Sequence, residues 1–120
     1  MTKPTWTVPA TITRVIDADT LAADLDLGWR VWMRDVHIRL AGLNAPELST
    51  PEGRAARVWV FNRLNGLMPV GDSGPLRVPV TVQSQSLDKY GRVLGVVYLP
   101  PGMSLNEELL VNGYAQVMRG

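Results

Sequence analysis

Five stretches of the chain have the composition and the alternation of β-strands. They are rich in threonine, valine and isoleucine, and residues typical of turns separate them. They lie at residues 5–16, 20–26, 31–40, 76–82 and 92–99. The third stretch places Val36 and Ile38 on one face and Arg39 on the other. Only the DAD sequence at 17–19 separates the first two stretches, which predicts a β-hairpin.

Two helices are predicted from their capping signals. The TPE sequence at 50–52 supplies a capping threonine, a proline at the first helical position and an acid in the first turn, so a helix should begin there and stop at Gly66. Its expected apolar positions are Ala55, Val58, Trp59, Phe61 and Leu64. The SLNE sequence at 104–107 is a capping box, which predicts a second, short helix to about Asn112. Residues 114–118 then form a short tail strand.

The order of these elements predicts the fold class. Five strands, with one helix after the third and another after the fifth, indicate an α+β, mainly β domain built on a closed five-stranded Greek-key barrel, the oligonucleotide/oligosaccharide-binding fold. Other α+β domains share this order of elements, so the barrel is a hypothesis at this point. No repeat or linker divides the chain, and we expect residues 1–120 to form a single domain.

The four tryptophans are expected to lie in the core or at the ends of the barrel. They are Trp6, Trp29, Trp32 and Trp59. Only Trp29 and Trp32, in or near the predicted turn before the third strand, are placed to offer bases a stacking surface.

The composition limits the chemistry that the chain can perform. Its 120 residues include no cysteine and a single histidine, His37, which excludes a thiol nucleophile, a zinc–thiolate site and a multi-histidine metal site. Twelve Lys and Arg against eleven Asp and Glu give a net charge of +1, so any binding of phosphate must depend on local charges. The available reactive groups are carboxylates, amides and arginines.

The N-terminal sequence and the hydropathy indicate no membrane partner. No apolar run is long enough to span a bilayer, and MTKPTWTVP at the start lacks the apolar core of a signal peptide. We therefore expect a cytoplasmic protein, and we expect it to be a monomer.

Four short motifs occur at or near the ends of the predicted elements. They are IDADT at 16–20, RLAGLNAPE at 39–47, DKYGR at 88–92 and NEELLVNGYAQV at 106–117. In this order and spacing, over roughly residues 10–118, the chain resembles the staphylococcal nuclease (thermonuclease) family. The resemblance implies a five-stranded barrel that hydrolyses phosphodiester bonds of DNA and RNA, generally with a calcium ion.

The resemblance assigns catalytic roles to three residues. Arg39 and Arg92 match the two phosphate-binding arginines of the family, and Glu47 matches the glutamate that positions the attacking water. These residue types suit the reaction, because phosphodiester hydrolysis needs a group that orients or deprotonates water and positive charge where negative charge gathers on the phosphorus. A guanidinium group donates in parallel to two phosphate oxygens and does not lose its proton.

The resemblance also implies a metal site and contacts with the substrate. Asp19, Asn44 and the backbone carbonyl of Ala45 match the positions that bind a divalent metal, most often Ca²⁺ in this family. Oxygen ligands of this kind suit a hard cation. Lys89 and Tyr90 match residues that contact the phosphate.

The chain departs from the family pattern at several places. The family usually has aspartate where this chain has Asn44, so one ligand charge is lost and metal affinity should be low. The segment 48–51 is shorter than in the staphylococcal enzyme and lacks its lysines. Arg119 stands where that enzyme has a tyrosine that contacts the nucleotide, and the sequence ends at Gly120, before the last helix of the family.

Three functions therefore stay open on the sequence. The first is a metal-dependent nuclease acting on single-stranded or frayed DNA and RNA with little sequence preference, supported by the retained Asp19, Arg39, Glu47 and Arg92. The second is a catalytically weak or inactive module that binds nucleic acid or protein, supported by Asn44. The third is a structural or partner-binding domain without nucleic acid, which fits the small net charge but leaves the retained residues unexplained.

Overall fold

The structure, a computed structural model, describes residues 6–87 and 91–118, and within them it contains seven β-strands and two α-helices. The strands are β1 (Trp6–Asp17), β2 (Thr20–Asp26), β3 (Trp32–Leu40), β4 (Leu43–Asn44), β5 (Val78–Leu87), β6 (Val93–Tyr98) and β7 (Gln116–Val117). The helices are α1 (Pro51–Asn65) and α2 (Leu105–Val111).

Five of the strands close into a barrel in the order β1-β2-β3-β6-β5, with β5 pairing back to β1. The neighbouring strands are antiparallel except for β3 and β6, which run parallel. The predicted five-stranded barrel with two helices is therefore confirmed. The tail strand is also present as the shorter β7, and it pairs with β4, a two-residue strand that the sequence pattern did not predict.

The interior of the barrel is apolar because alternate residues of each strand point inward. The barrel residues with no exposed surface include Ile12, Leu21, Ile38, Leu40, Val82 and Val97. Residues at the intervening positions of β3, such as Arg39, lie on the outer face. This packed interior fixes the strand ends, and the polar site is built at one of them.

Helix α1 begins as predicted but buries a different face. The Thr50 side chain accepts a hydrogen bond from Gly53 N, and Pro51 is the first helical residue. The buried positions of α1 are Gly53, Ala56, Val60 and Leu64. The prediction was therefore right for Leu64 and in part for Trp59. It was wrong for Ala55, which is exposed, and for Val58 and Phe61, which are 54% and 44% exposed. Apolar residues lie on two sides of α1, and only the side whose residues recur every fourth position packs on the barrel.

Three of the four tryptophans lie outside the core. Trp6 is 67% exposed, Trp29 97% and Trp32 39%. Trp59 is partly buried and stacks on Tyr114, with 5.0 Å between the ring centroids. The other three lie at the start of β1 or around the β2–β3 turn.

Helix α2 is tied to the barrel by a buried amide. Asn106 accepts a hydrogen bond from Val97 N at 3.0 Å and donates to the carbonyl oxygens of Ala41 (3.0 Å) and Gly95 (3.2 Å). Ala41 directly follows β3, so this contact fixes the chain where it leaves the barrel toward β4. Neither helix of the described residues has the length and hydropathy needed to cross a membrane.

Candidate functional site

The polar site lies where the β1–β2 turn meets the end of β3. The Asp19 carbonyl oxygen accepts a hydrogen bond from Leu40 N at 2.8 Å, and Thr20 is the register partner of Arg39. The turn is therefore held against the last residues of β3. This pairing brings the side chains of Asp19 and Arg39 to the same place.

Arg39 joins the aspartate of the turn to the asparagine of β4. Its Nη2 lies 3.3 Å from Asp19 Oδ2 and 2.5 Å from Asn44 Oδ1, and its Nη1 donates to the Leu40 carbonyl oxygen at 3.0 Å. The side chains of Arg39 and Asp19 are only 11% and 15% exposed. An ion pair that is this largely buried is stable only when additional hydrogen bonds of this kind compensate for the loss of water. The structure thus brings together three of the residues that the motifs singled out.

Both carboxylate oxygens of Asp19 accept hydrogen bonds. Oδ1 accepts from the Thr20 hydroxyl at 3.3 Å, and Oδ2 accepts from Ala45 N at 3.0 Å in addition to its contact with Arg39. Ala45 therefore contributes its amide N–H to the site. The metal-binding role assigned to its carbonyl oxygen stays a prediction.

Asp17 is a member of the site to which the sequence analysis assigned no role. Its Oδ1 accepts a hydrogen bond from Asp19 N at 3.3 Å. Burial, the hydrogen bond with the Asp19 side chain and the charge of Asp19 raise the pKa of Asp17 to about 6. The sequence shows the two aspartates in the DAD turn. It does not show that they are buried together, and the effect of each on the pKa of the other depends on that burial.

The pKa of Asp19 moves in the opposite direction. Burial on its own raises the pKa of this carboxyl, but hydrogen bonds from Asp17 and from Ala45 N, together with the charge of Arg39, outweigh that effect and lower it. Asp19 is thus the ionised partner of the pair, and Asp17 retains a proton up to about pH 6.

Asp17→Asn should change the pH dependence of stability. Because folding raises the pKa of Asp17 from 3.8 to about 6, its contribution to the free energy of unfolding is present below pH 3.8 and is lost as the pH rises through about 6. Asparagine stays neutral throughout. The stability advantage of the variant should therefore grow from about pH 4 and reach about 1 kcal/mol at pH 7, allowing for the partial exposure of the group.

Urea unfolding from pH 4 to pH 8 with a metal chelator measures this effect. Asp26→Asn, the same substitution at the end of β2 and away from the site, is the matched control. If the free energy of unfolding of Asp17→Asn changed with pH as that of the wild type does, the interaction of Asp17 with Asp19 would be contradicted.

Glu47 lies three residues beyond Asn44 with its side chain exposed to solvent. Its carbonyl oxygen accepts hydrogen bonds from Thr50 N at 2.9 Å and from Thr50 Oγ1 at 2.6 Å. Its carboxylate forms no hydrogen bond or ion pair with the rest of the described chain. No hydrogen bond or ion pair within the described residues joins the Glu47 side chain to Asp19 or Arg39, and its catalytic role stays a prediction.

Arg92 lies immediately before β6, the strand that pairs in parallel with the end of β3. In the β3–β6 pair, Val93 is the partner of Ile38 and Leu94 is the partner of Arg39. The chain therefore brings Arg92 to the start of the strand that pairs with β3, and its phosphate-binding role stays a prediction. Lys89 and Tyr90, the predicted phosphate contacts, lie outside the described residues.

The oxygen atoms of the site suit a hard divalent cation, but few of them belong to charged groups. Asp17, Asp19 and Asn44 offer carboxylate and amide oxygens, which Ca²⁺ and Mg²⁺ prefer. Within residues 6–87 and 91–118, no group of three or more Asp, Glu, His or Cys side chains is placed to hold a metal ion. The oxygen chemistry agrees with the predicted cofactor, and the small number of charged ligands predicts weak binding.

The closed five-stranded barrel with two helices is an oligonucleotide/oligosaccharide-binding fold. Within that class, residues 37–120 match the sequence model of the family described as staphylococcal nuclease homologue. The chain therefore belongs to the staphylococcal nuclease family, and the resemblance that the four motifs indicated is confirmed.

Several relatives of the chain are known. An uncharacterized endonuclease of Escherichia coli is 34% identical over 106 residues, which cover 88% of this chain and 58% of the relative. Endonuclease YhcR of Bacillus subtilis is 32% identical over 111 residues, covering 87% of this chain and 8% of the relative. A micrococcal nuclease of Shigella flexneri is 33% identical over 89 residues, covering 74% and 41%. The chain thus spans little more than half of the E. coli relative and less of the other two.

Proposed function

We propose that this chain is a metal-dependent nuclease that hydrolyses phosphodiester bonds of DNA and RNA with little sequence preference. The observation that carries the proposal is the contact of Arg39 with Asp19 and Asn44, in which one guanidinium group faces two oxygen ligands at the end of a barrel strand. The names of the E. coli and S. flexneri relatives, an endonuclease and a micrococcal nuclease, support the reaction class.

Asp19, Asn44 and the Ala45 carbonyl oxygen are the residues that would hold the cation, with Asp17 as a further carboxylate. A bound divalent ion, for which calcium is our first choice, would supply positive charge beside the phosphate and polarise it. Asp19 Oδ2 and Asn44 Oδ1 both face Arg39 in the structure. A cation held at these oxygens would leave the guanidinium group of Arg39 free to donate to a phosphate.

Arg39 and Arg92 would bind the phosphate and stabilise its transition state. Arg39 lies in β3 and Arg92 immediately precedes β6, the strand that pairs with β3, and each guanidinium group can donate to two oxygens at once. Such donors act most strongly where water is largely excluded, and the Arg39 side chain is 11% exposed. The pair therefore suits a phosphorus centre on which negative charge increases during attack.

Glu47 would orient and deprotonate the attacking water. Its carboxylate is exposed and engages no other described side chain, so it can accept a hydrogen bond from water. Hydrogen bonds made by a general base are often long or absent until the substrate binds. The net charge of +1 gives no broad basic surface for a duplex, so we propose single-stranded or frayed strands as substrates.

A binding module without catalysis is the second candidate function. It is favoured by Asn44, which replaces a charged ligand, and by the lack of a three-acid cluster among the described residues. It leaves unexplained why Arg39 is held largely buried against Asp19. The two functions differ in their response to an added carboxylate at residue 44.

Asn44→Asp should tighten calcium binding on the order of tenfold, because calcium affinity depends on the number of charged ligands. The substitution barely changes the side-chain volume and keeps an oxygen acceptor for Arg39. Activity at low calcium should rise in parallel. Calorimetric calcium titration and cleavage of labelled single-stranded DNA, performed on both proteins, measure the two effects.

Asn62→Asp adds the same charge to α1 and is the matched control, for which we expect no gain in calcium affinity. A binding module predicts a different result for Asn44→Asp, since a new negative charge beside the phosphate site would weaken nucleic-acid binding. Absence of both calcium binding and cleavage in the wild type and in Asn44→Asp would contradict the nuclease and favour the binding module.

A further inference from the structure

The first turn of α1 approaches the backbone of Glu47 more closely than any side chain would allow. A Cβ atom at Gly53 would lie 1.9 Å from the Glu47 carbonyl oxygen, 2.5 Å from its carbonyl carbon and 2.8 Å from the Pro46 carbonyl oxygen. Real Cβ contacts essentially never fall below 3.0 Å. All three atoms belong to the backbone, so no change of rotamer relieves the overlap.

The backbone conformation of Gly53 does not itself call for glycine. Gly53 lies inside α1 and is not among the glycines with positive φ. Alanine is the better helix former, so a glycine at this position is unfavourable for the isolated helix. The observation that accounts for glycine here is the space occupied by the Glu47 carbonyl group.

Thr50 holds the same carbonyl group by hydrogen bonds. The Glu47 carbonyl oxygen accepts from Thr50 N at 2.9 Å and from Thr50 Oγ1 at 2.6 Å, and Thr50 Oγ1 also accepts from Gly53 N at 3.0 Å. Only residues 48 and 49 separate Glu47 from Thr50. The segment is too short to absorb a change in its path, so a shift of this carbonyl group would also move the Glu47 side chain.

We propose that Thr50 and Gly53 are positioning residues that place the Glu47 carboxylate for catalysis. Thr50 holds the carbonyl group by hydrogen bonds, and Gly53 leaves the space into which it fits. The inference rests on the proposed function of Glu47 as the group that activates water. Neither residue needs to touch the substrate.

Gly53→Ala should lower kcat for single-stranded DNA on the order of a hundredfold, because a displacement of about 1 Å of a catalytic group has an effect of this size. KM and the affinity for a labelled oligonucleotide in chelator should change by no more than roughly twofold, since the phosphate-binding arginines are untouched. Gly66→Ala, at the other end of α1, is the matched control. A Cβ there would lie 3.4 Å from its nearest neighbour, an ordinary contact, and we expect wild-type kinetics.

The same substitution in a Glu47→Gln protein separates positioning from general damage to the fold. If Gly53 acts through Glu47, Gly53→Ala should cause little further loss of rate once the carboxylate is gone. Equal losses in both backgrounds, or a wild-type kcat for Gly53→Ala, would overturn the inference. Wild-type activity of Glu47→Gln alone would instead overturn the proposed function, so the two failures are distinguishable.

Two substitutions at Thr50 keep the inference testable if Gly53→Ala does not fold. Thr50→Ala removes the hydroxyl that donates to Glu47, and Thr50→Ser retains it. We expect kcat to fall in Thr50→Ala and most of it to be recovered in Thr50→Ser. Equal kcat values in the two proteins would overturn the inference.

Discussion

Replacing Glu47 with glutamine should lower the turnover of single-stranded DNA by about a hundredfold or more while nucleic-acid binding survives. Glutamine keeps the shape and the hydrogen-bonding capacity of the side chain but does not accept a proton, and general bases contribute rate effects of this size. The Glu47 side chain is exposed and engages no other described residue, so its loss should leave the fold unchanged.

Single-turnover cleavage of a labelled oligonucleotide, together with its dissociation constant in chelator, tests this result. Glu52→Gln, the same substitution at an exposed position five residues further along, is the matched control and should retain wild-type turnover. Undiminished hydrolysis by purified Glu47→Gln would remove Glu47 from the mechanism.

Arg39→Lys should reduce the rate more than it reduces stability. Lysine keeps the positive charge but not the planar fork with which Arg39 reaches Asp19, Asn44 and the Leu40 carbonyl oxygen. Loss of a transition-state donor costs on the order of 3 kcal/mol, equivalent to a rate decrease of roughly a hundredfold or more. Arg92→Lys should give a similar decrease, since we propose that Arg92 binds the same phosphate.

Measurement of kcat and of the thermal midpoint on the same preparations separates the two effects. Arg77→Lys is the matched control, because Arg77 forms an exposed ion pair with Asp72 outside the barrel. A wild-type rate for Arg39→Lys would contradict its assignment to the phosphate, and a wild-type rate for Arg92→Lys would contradict that of Arg92.

The strands were predictable from their composition and, in β3, from the alternation of Val36 and Ile38 with Arg39, and the order of strands and helices indicated the barrel. The placement of Asp19, Arg39 and Asn44 in one site followed from the motifs at the strand ends, and the structure shows the three in contact. The two-residue strand β4 was not predictable, since two residues are too few to show a period.

Other features depend on contacts between distant parts of the chain. The sequence of α1 carries apolar residues on two sides, and only packing on the barrel selects Ala56 and Val60 over Val58 and Phe61. The raised pKa of Asp17 depends on its burial beside Asp19. The requirement for glycine at residue 53 depends on the path of the loop that precedes α1. Each of these features is decided by tertiary contacts rather than by the local sequence.

The most direct test of the central claim is digestion of labelled single-stranded DNA by the purified chain in calcium, magnesium, manganese or chelator. Our account predicts cleavage at many positions with at least one of the divalent ions, at high metal concentration, and none in chelator. Glu47→Gln, assayed beside the wild type, should show little cleavage under the same conditions and so control for a contaminating nuclease. Cleavage by the wild type in chelator, or intact DNA at every metal concentration, would contradict a metal-dependent nuclease.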